Sequence, residues 1–233
     1  MSSAELTDSM ASTLAGNKLR IIDISQPVTS TSACFPGDVP FSKQMTLTYA
    51  DSQVINLTAL TMSPHVGTHA DAPSHIGGDM DALDAMAGAM PLAPYIGECF
   101  VIDAAPFKKG LPSVLLEEKL ADMQRIPERI LFRTQIVINY DVFEEEYAYF
   151  TVKLVEKAKQ YGIRLLGIDT PSVDQTTSKA LETHHALEAA GMSWLENLDL
   201  TRVAEGRYFL VALPLKFMEL EASPVRAVLL GAP

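Results

Sequence analysis

The residues of this chain best suited to chemistry are its five histidines, and they are clustered. Three fall in one stretch with an aspartate: His65-Val66-Gly67-Thr68-His69-Ala70-Asp71-Ala72-Pro73-Ser74-His75. The other two, His184 and His185, are adjacent. Imidazole and carboxylate are the ligands that zinc and related divalent metals take. His65, His69 and Asp71 lie within seven residues and can meet on one ion if the segment folds back on itself. Gly67 permits the backbone angles of such a fold, and Pro73 stiffens its exit. A helix carrying His65 and His69 on one face, as in zinc proteases, is rejected. Val66 stands where the catalytic Glu would be, and Gly67, Pro64 and Pro73 oppose a helix. The bland alternative is a polar turn whose histidines bond only to backbone groups.

The second pair is resolved by helix phase. At about 100° per residue, Ala180, Leu181 and Leu187 form one apolar side. His184 falls near its middle and points inward, as a metal ligand or as a core histidine bonded to a carbonyl. His185 lies about 100° away and faces solvent. Glu196 sits between apolar neighbours in Trp194-Leu195-Glu196-Asn197-Leu198. A buried carboxylate needs a partner, because unpaired charge is costly inside a protein. A metal, an arginine or an exposed edge would each serve. Cys34 has no histidine paired with it in sequence and reads as an inert thiol. Arg226 reads as an ion-pair partner, with a substrate carboxylate as the alternative.

These groups have to be positioned by the rest of the chain. Its 233 residues suit a single domain, since α/β domains often run to roughly 200–250 residues. A hydrophobic content of 48% is enough for a sizeable core. Residues 1–17, rich in Ser, Thr and Ala, read as a flexible tail without the pattern of a secretory signal, and residues 18–233 as the domain. Strands are predicted over Leu19–Ile24, Met45–Tyr49, Val54–Met62, Tyr95–Ile102, Arg129–Asn139, Arg164–Ile168, Tyr208–Leu213 and Val225–Leu230. Helices are predicted over Leu111–Met123, Val152–Tyr161 and Ser178–Ala190, the last two stopped by Gly162 and Gly191. Ser63–Ile76 is expected to be a structured loop. Interleaved strands and helices indicate a mixed α/β fold.

A net charge of −11 without a basic cluster argues against nucleic acid as a partner. No apolar stretch reaches the roughly 18–20 residues of a membrane helix. Two cysteines, Cys34 and Cys99, are too few for a multi-cysteine zinc site and read as reduced thiols of a cytoplasmic protein.

Taken together, these residues resemble the cyclase-like family of metal hydrolases, and within it the branch that hydrolyses N-formyl-L-kynurenine to L-kynurenine and formate. The family hallmark is His, any residue, Gly, Thr or Ala, His, any residue, Asp, any residue, Pro, any residue, His, met by His65 to His75. A second match runs over Gly167-Ile168-Asp169-Thr170-Pro171-Ser172-Val173-Asp174, followed by Ser178-Lys179 and His184. A third joins Leu195-Glu196-Asn197-Leu198 to Ala212-Leu213-Pro214-Leu215-Lys216 and Ser223-Pro224-Val225-Arg226-Ala227-Val228-Leu229. Asp23-Ile24-Ser25 and Phe35-Pro36-Gly37-Asp38 match near the start.

The resemblance implies a barrel-like core of mixed β-sheet with flanking helices, and a homodimer or higher oligomer. It implies two divalent ions per subunit, zinc with manganese as the alternative, held by His65, His69, Asp71, His184 and Glu196. Asp71 and Glu196 would bridge the pair, and His75 would donate and accept the proton. Phe35 would line the pocket of a small aryl formamide, where the formamidases usually carry Trp. Two other readings follow from the same residues: a family hydrolase acting on a cyclic amide such as isatin, and a metal-binding protein without turnover.

Overall fold

The computed structural model describes residues 20–77 and 79–231; residues 1–17, read as a tail, lie outside them. In chain order the strands are β1 (Arg20–Asp23), β2 (Ser42–Leu47), β3 (Leu57–Thr61), β4 (His69–Asp71), β5 (Ile96–Asp103), β6 (Gly110–Leu111), β7 (Arg129–Arg133), β8 (Tyr149–Phe150), β9 (Leu165–Ile168), β10 (Ser193–Leu195), β11 (Gly206–Val211), β12 (Ala222–Pro224) and β13 (Val228–Gly231). The helices are α1 (Tyr49–Ser52), α2 (Ser74–Gly77), α3 (Ser113–Leu120), α4 (Val152–Gln160) and α5 (Glu182–Ala190).

Seven strands form one sheet in the order β1-β13-β11-β5-β7-β9-β10. The run from β1 to β5 is antiparallel, and the run from β5 to β10 is parallel. The parallel part is dictated by composition. All of Leu165–Ile168 is buried, as a strand covered on both faces must be. Tyr95, Leu131, Leu165, Leu195, Leu210 and Leu229 fill one core. Ile130, Phe132, Leu166 and Ile168 fill the other, beneath Leu116 of α3, Leu154 of α4 and Leu187 of α5. Burying a side chain such as Leu154 stabilises by about 1.5–3 kcal/mol. Thr151 caps α4 by accepting from the Leu154 N–H, and Gly162 at φ 73° ends it where predicted.

The mixed α/β architecture with flanking helices is as expected, and the barrel-like core takes the form of this mixed sheet. Several bounds differ from the sequence reading: Tyr49, expected in a strand, opens α1, Leu111, expected in a helix, ends β6, and the last strand starts at Val228 and not at Val225. Three further departures have a local reason. The run from Arg129 stops being a strand at Arg133, because the N–H groups of Thr134 and Gln135 donate to the Asp169 carboxylate instead of a neighbouring strand. Helix α5 begins at Glu182 and not at Ser178. Leu181 is left-handed at φ 46°, and Asp174 accepts from the N–H groups of Thr183 and His184. The segment expected as a loop, Ser63–Ile76, contains β4 and α2. Strand β4 pairs with β12, a three-residue strand ending at a proline that carries no periodic signal.

Among the described residues, strands β2 and β3 pair only with each other, and every residue of β3 is exposed. Leu60 and Val54 at this hairpin are 64% and 72% exposed.

Candidate metal centre

The site forms where the parallel strands end, the position at which open α/β sheets bind ligands. Asp169 follows β9 and Glu196 follows β10. After Glu196 the chain turns left-handed at Asn197, whose N–H bonds to the Thr170 carbonyl. Strand β4 is laid against the end of β10 by reciprocal backbone bonds, His69 N–H to Glu196 O at 3.3 Å and Glu196 N–H to His69 O at 3.1 Å. This ladder brings the His65–His75 segment to Glu196. Helix α5 then supplies His184, which is buried, while His185 is exposed, as helix phase predicts.

All six residues predicted for the centre are thereby gathered. His65 Nδ1 and His69 Nε2 approach Asp71 Oδ1 at 3.1 and 3.4 Å. His69 Nε2 is 3.1 Å from Glu196 Oε2. His184 Nε2 is 3.5 Å from both Asp71 Oδ2 and Glu196 Oε1. His75, on α2, has its ring centroid 4.5 Å from that of His65 and 5.6 Å from that of His184. Among the described residues Glu196 meets neither an arginine nor an exposed edge, two of the partners open to it in sequence; it lies buried against two histidines.

The side chains around this cluster explain its orientation. His184 Nδ1 donates to Asp174 Oδ2 at 2.7 Å, turning Nε2 inward. His69 Nδ1 donates to the Gly67 carbonyl at 2.9 Å, with the same effect. Such partners set the tautomer and angle of a ligating imidazole. Trp194 Nε1–H donates to Asp71 Oδ2 at 2.9 Å, and Val173 N–H to Glu196 Oε1 at 2.8 Å. Sequence reasoning missed the roles of Asp174 and Trp194. Asp174 stands inside a quoted motif and Trp194 in the stretch around Glu196, but only the fold shows which way they face.

The donor set fits a divalent metal. His69 Nε2 and Asp71 Oδ1 are buried and make no well-aligned hydrogen bond, although charged neighbours surround them. Groups that crowd a common point without bonding one another are arranged for something held between them. Two donor groups share Asp71, namely His69-Asp71-Glu196 and His65-Asp71-His75, each with ligand atoms within 4.8 Å. Electrostatics points the same way. Burial works against a charged His65, yet Asp71 and Glu221 overcome it and push its pKa up to about 10. Burial likewise opposes a charged His184, and Asp174, Asp71 and Glu196 push it up to about 12. Burial would raise Asp71 and Glu196, but the histidines hold both below the usual carboxylate range. Buried carboxylates of this kind demand positive charge, and a metal supplies it without protons. His75 is different: burial dominates and lowers its pKa.

A cavity of about 480 Å³ opens onto the cluster, lined by His65, His69, His75, His184 and Glu196 on its floor and by Phe35 and Phe143 among others. That volume lies in the range of about 300–1,000 Å³ usual for small-molecule sites. The Phe35 and Phe143 rings pack edge to face at 5.1 Å. Cys34 also lines the cavity; burial raises its pKa, so it is no activated nucleophile. Arg226 forms an exposed ion pair with Asp23, its Nε 3.0 Å from Asp23 Oδ1, and lies outside the cavity lining.

Comparison with known proteins places the chain in a family. The model of the putative cyclase family matches residues 22–175. A kynurenine formamidase of Bordetella avium is 40% identical over 210 residues, covering 90% of this chain and 97% of that one. Among solved structures, a predicted metal-dependent hydrolase from Bacillus stearothermophilus superposes with a TM-score of 0.75 at 25% identity, over 91% of this chain and 98% of that one. Isatin hydrolase A from Labrenzia aggregata shares the fold, with a TM-score of 0.82 at 22% identity over 98% of this chain and 100% of that one. The chain belongs to the putative cyclase family.

Proposed function

We propose that this member of the putative cyclase family hydrolyses N-formyl-L-kynurenine to L-kynurenine and formate. The observation that carries the reading is the convergence of His65, His69, His184 and Glu196, with His75 beside them, on the floor of an aromatic-walled cavity, around the buried Asp71. The 40% identity to a kynurenine formamidase selects the substrate.

His65, His69, Asp71, His184 and Glu196 would hold two divalent ions, zinc or alternatively manganese. When bound, such ions supply Lewis acidity that activates water and polarises the formyl oxygen. His75 does the proton work. Its burial disfavours imidazolium, so the neutral ring is ready to accept a proton from the attacking water. It returns that proton to the nitrogen of the departing aryl amine, so that the amide and one water become formate and amine. Phe35 and Phe143 present edges and faces on which the substrate's ring can pack. Phe35 in place of the usual Trp leaves a smaller aromatic at the mouth.

The exposed apolar hairpin of β2 and β3 supports a homodimer or higher oligomer, since a two-stranded hairpin is marginal in water alone. Two unpaired cysteines suit a cytoplasmic location. No described helix is long and apolar enough to cross a membrane.

The test is a steady-state assay with N-formyl-L-kynurenine and isatin in parallel, on protein of measured metal content. Chelator-sensitive release of L-kynurenine with about two metals per chain supports the proposal. Turnover of isatin alone moves the substrate to a cyclic amide. Full metal content without turnover of either favours a metal-binding protein.

A further inference from the structure

Two of the three candidate histidine ligands in the centre have a visible orienting partner on the ring nitrogen that faces away from it: the Gly67 carbonyl for His69 and the Asp174 carboxylate for His184. His65 has a corresponding neighbour at ion-pair distance, a residue that neither the motif nor the cavity lining includes. Its Nδ1 faces Asp71 Oδ1 at 3.1 Å, and its other nitrogen, Nε2, faces Glu221 Oε1 at 3.4 Å. Glu221 precedes β12, far along the chain from the histidine motif. Its main chain is fixed against the motif, because the Ala72 N–H donates to the Glu221 carbonyl at 2.8 Å and the next residue, Ala222, pairs with Asp71. The ladder that sets Asp71 therefore also sets where the Glu221 carboxylate projects.

We propose that Glu221 is a positioning residue of the metal centre, which holds His65 with Nε2 protonated and Nδ1 turned to the ion. The physical reason is the one that applies to any ligating imidazole. A carboxylate accepting from the remote N–H fixes the tautomer, restrains ring rotation and raises the basicity of the ligating nitrogen. Glu221 is suited to this because its side chain is 28% exposed and that of His65 only 17%, so the carboxylate reaches the ring from the solvent side. The inference rests on the reading of His65 as a ligand but not on the identity of the substrate.

The experiment measures zinc binding by chelator competition in the full chain, wild type against Glu221→Ala and Glu221→Gln. In parallel, the His65 ring nitrogens are followed by NMR in the zinc-loaded proteins. Replacing such an outer partner weakens metal affinity about 10- to 100-fold. The expected result is that loss for Glu221→Ala, a smaller loss for the isosteric Glu221→Gln, unchanged metal stoichiometry at saturating zinc, and a changed His65 nitrogen signature. Equal affinity in all three proteins, or an unchanged His65 signature, would overturn the role of Glu221. Loss of one bound ion at saturation would overturn it too, by making Glu221 a ligand itself. A wild-type protein that binds no zinc would overturn the metal centre and this proposal together, and so is distinguishable from the other failures.

Discussion

His69 and Glu196 are joined twice: their backbones exchange two hydrogen bonds, at 3.3 and 3.1 Å, and their side chains meet at 3.1 Å. The pairing carries two candidate metal ligands from distant parts of the chain on one rigid ladder, so little side-chain entropy remains to be lost when an ion binds. Glu196→Gln keeps the ladder and the shape but removes the charge. It is expected to lower metal content by at least one ion per chain and kcat/KM by at least about 100-fold. Metal analysis and the formamidase assay on the same sample check this. Full metal content in the variant would remove Glu196 from the ligand set.

His75 should separate chemistry from metal binding. His75→Ala is expected to keep its metal and lose about 10²- to 10⁴-fold in kcat, the usual range for a general acid–base residue. A parallel loss of metal would instead make His75 a ligand, as its nearness to His65 and Asp71 allows.

The same residue sets an expectation for pH. Burial lowers the His75 pKa, so the ring stays neutral at pH values where a free imidazole is already charged. The acid limb of kcat/KM should therefore lie below about 6.5, the unperturbed histidine value. A limb above that value would contradict the assignment of His75 as the base.

Chelation should expose the proton affinity of the cluster. Without metal, His65 and His184 bind protons more tightly folded than unfolded, with pKa values pushed up to about 10 and about 12. Their contribution is complete below the unfolded value of about 6.5 and is lost as pH rises through the folded values. The Tm of the chelated protein should therefore fall as pH is raised from about 6.5 towards the folded value near 10. Metal binding releases those protons, so the gap between metal-loaded and chelated Tm should widen over the same interval. Thermal melts at several pH values read this directly, and a narrowing gap would count against the cluster as the binding site.

Phe35 bears on substrate rather than metal. Its edge-to-face contact with Phe143 is of the kind worth about 0.5–1.5 kcal/mol beyond area burial. Phe35→Ala should raise KM roughly 3- to 10-fold, with metal content unchanged. An unchanged KM would place the substrate's ring elsewhere in the cavity.

Much of this protein was legible in its sequence. The histidine motif is contiguous, and ligand chemistry depends on residue type, so His65, His69, Asp71 and His75 stood out before any fold was known. Helix phase placed His184 inward and His185 outward because a 3.6-residue period is a local property. The apolar runs of β7 and β9 announced strands, because an apolar run is likewise local, but their parallel order came only from the fold. Glu196, Asp174, Trp194 and Glu221 are different. A lone carboxylate or indole in a sequence has no direction, and what it faces depends on pairings between distant segments: β4 with β12, and His69 with Glu196. A separate long-range contact overrode local preference at Thr134, where the Asp169 carboxylate took the backbone donors and ended a strand that periodicity would have continued. The sequence by itself determined which groups could bind a metal. The tertiary structure decided which of them share one buried point, because only long-range hydrogen bonding brings the end of β10, the start of α5 and the segment before β12 to the histidine motif.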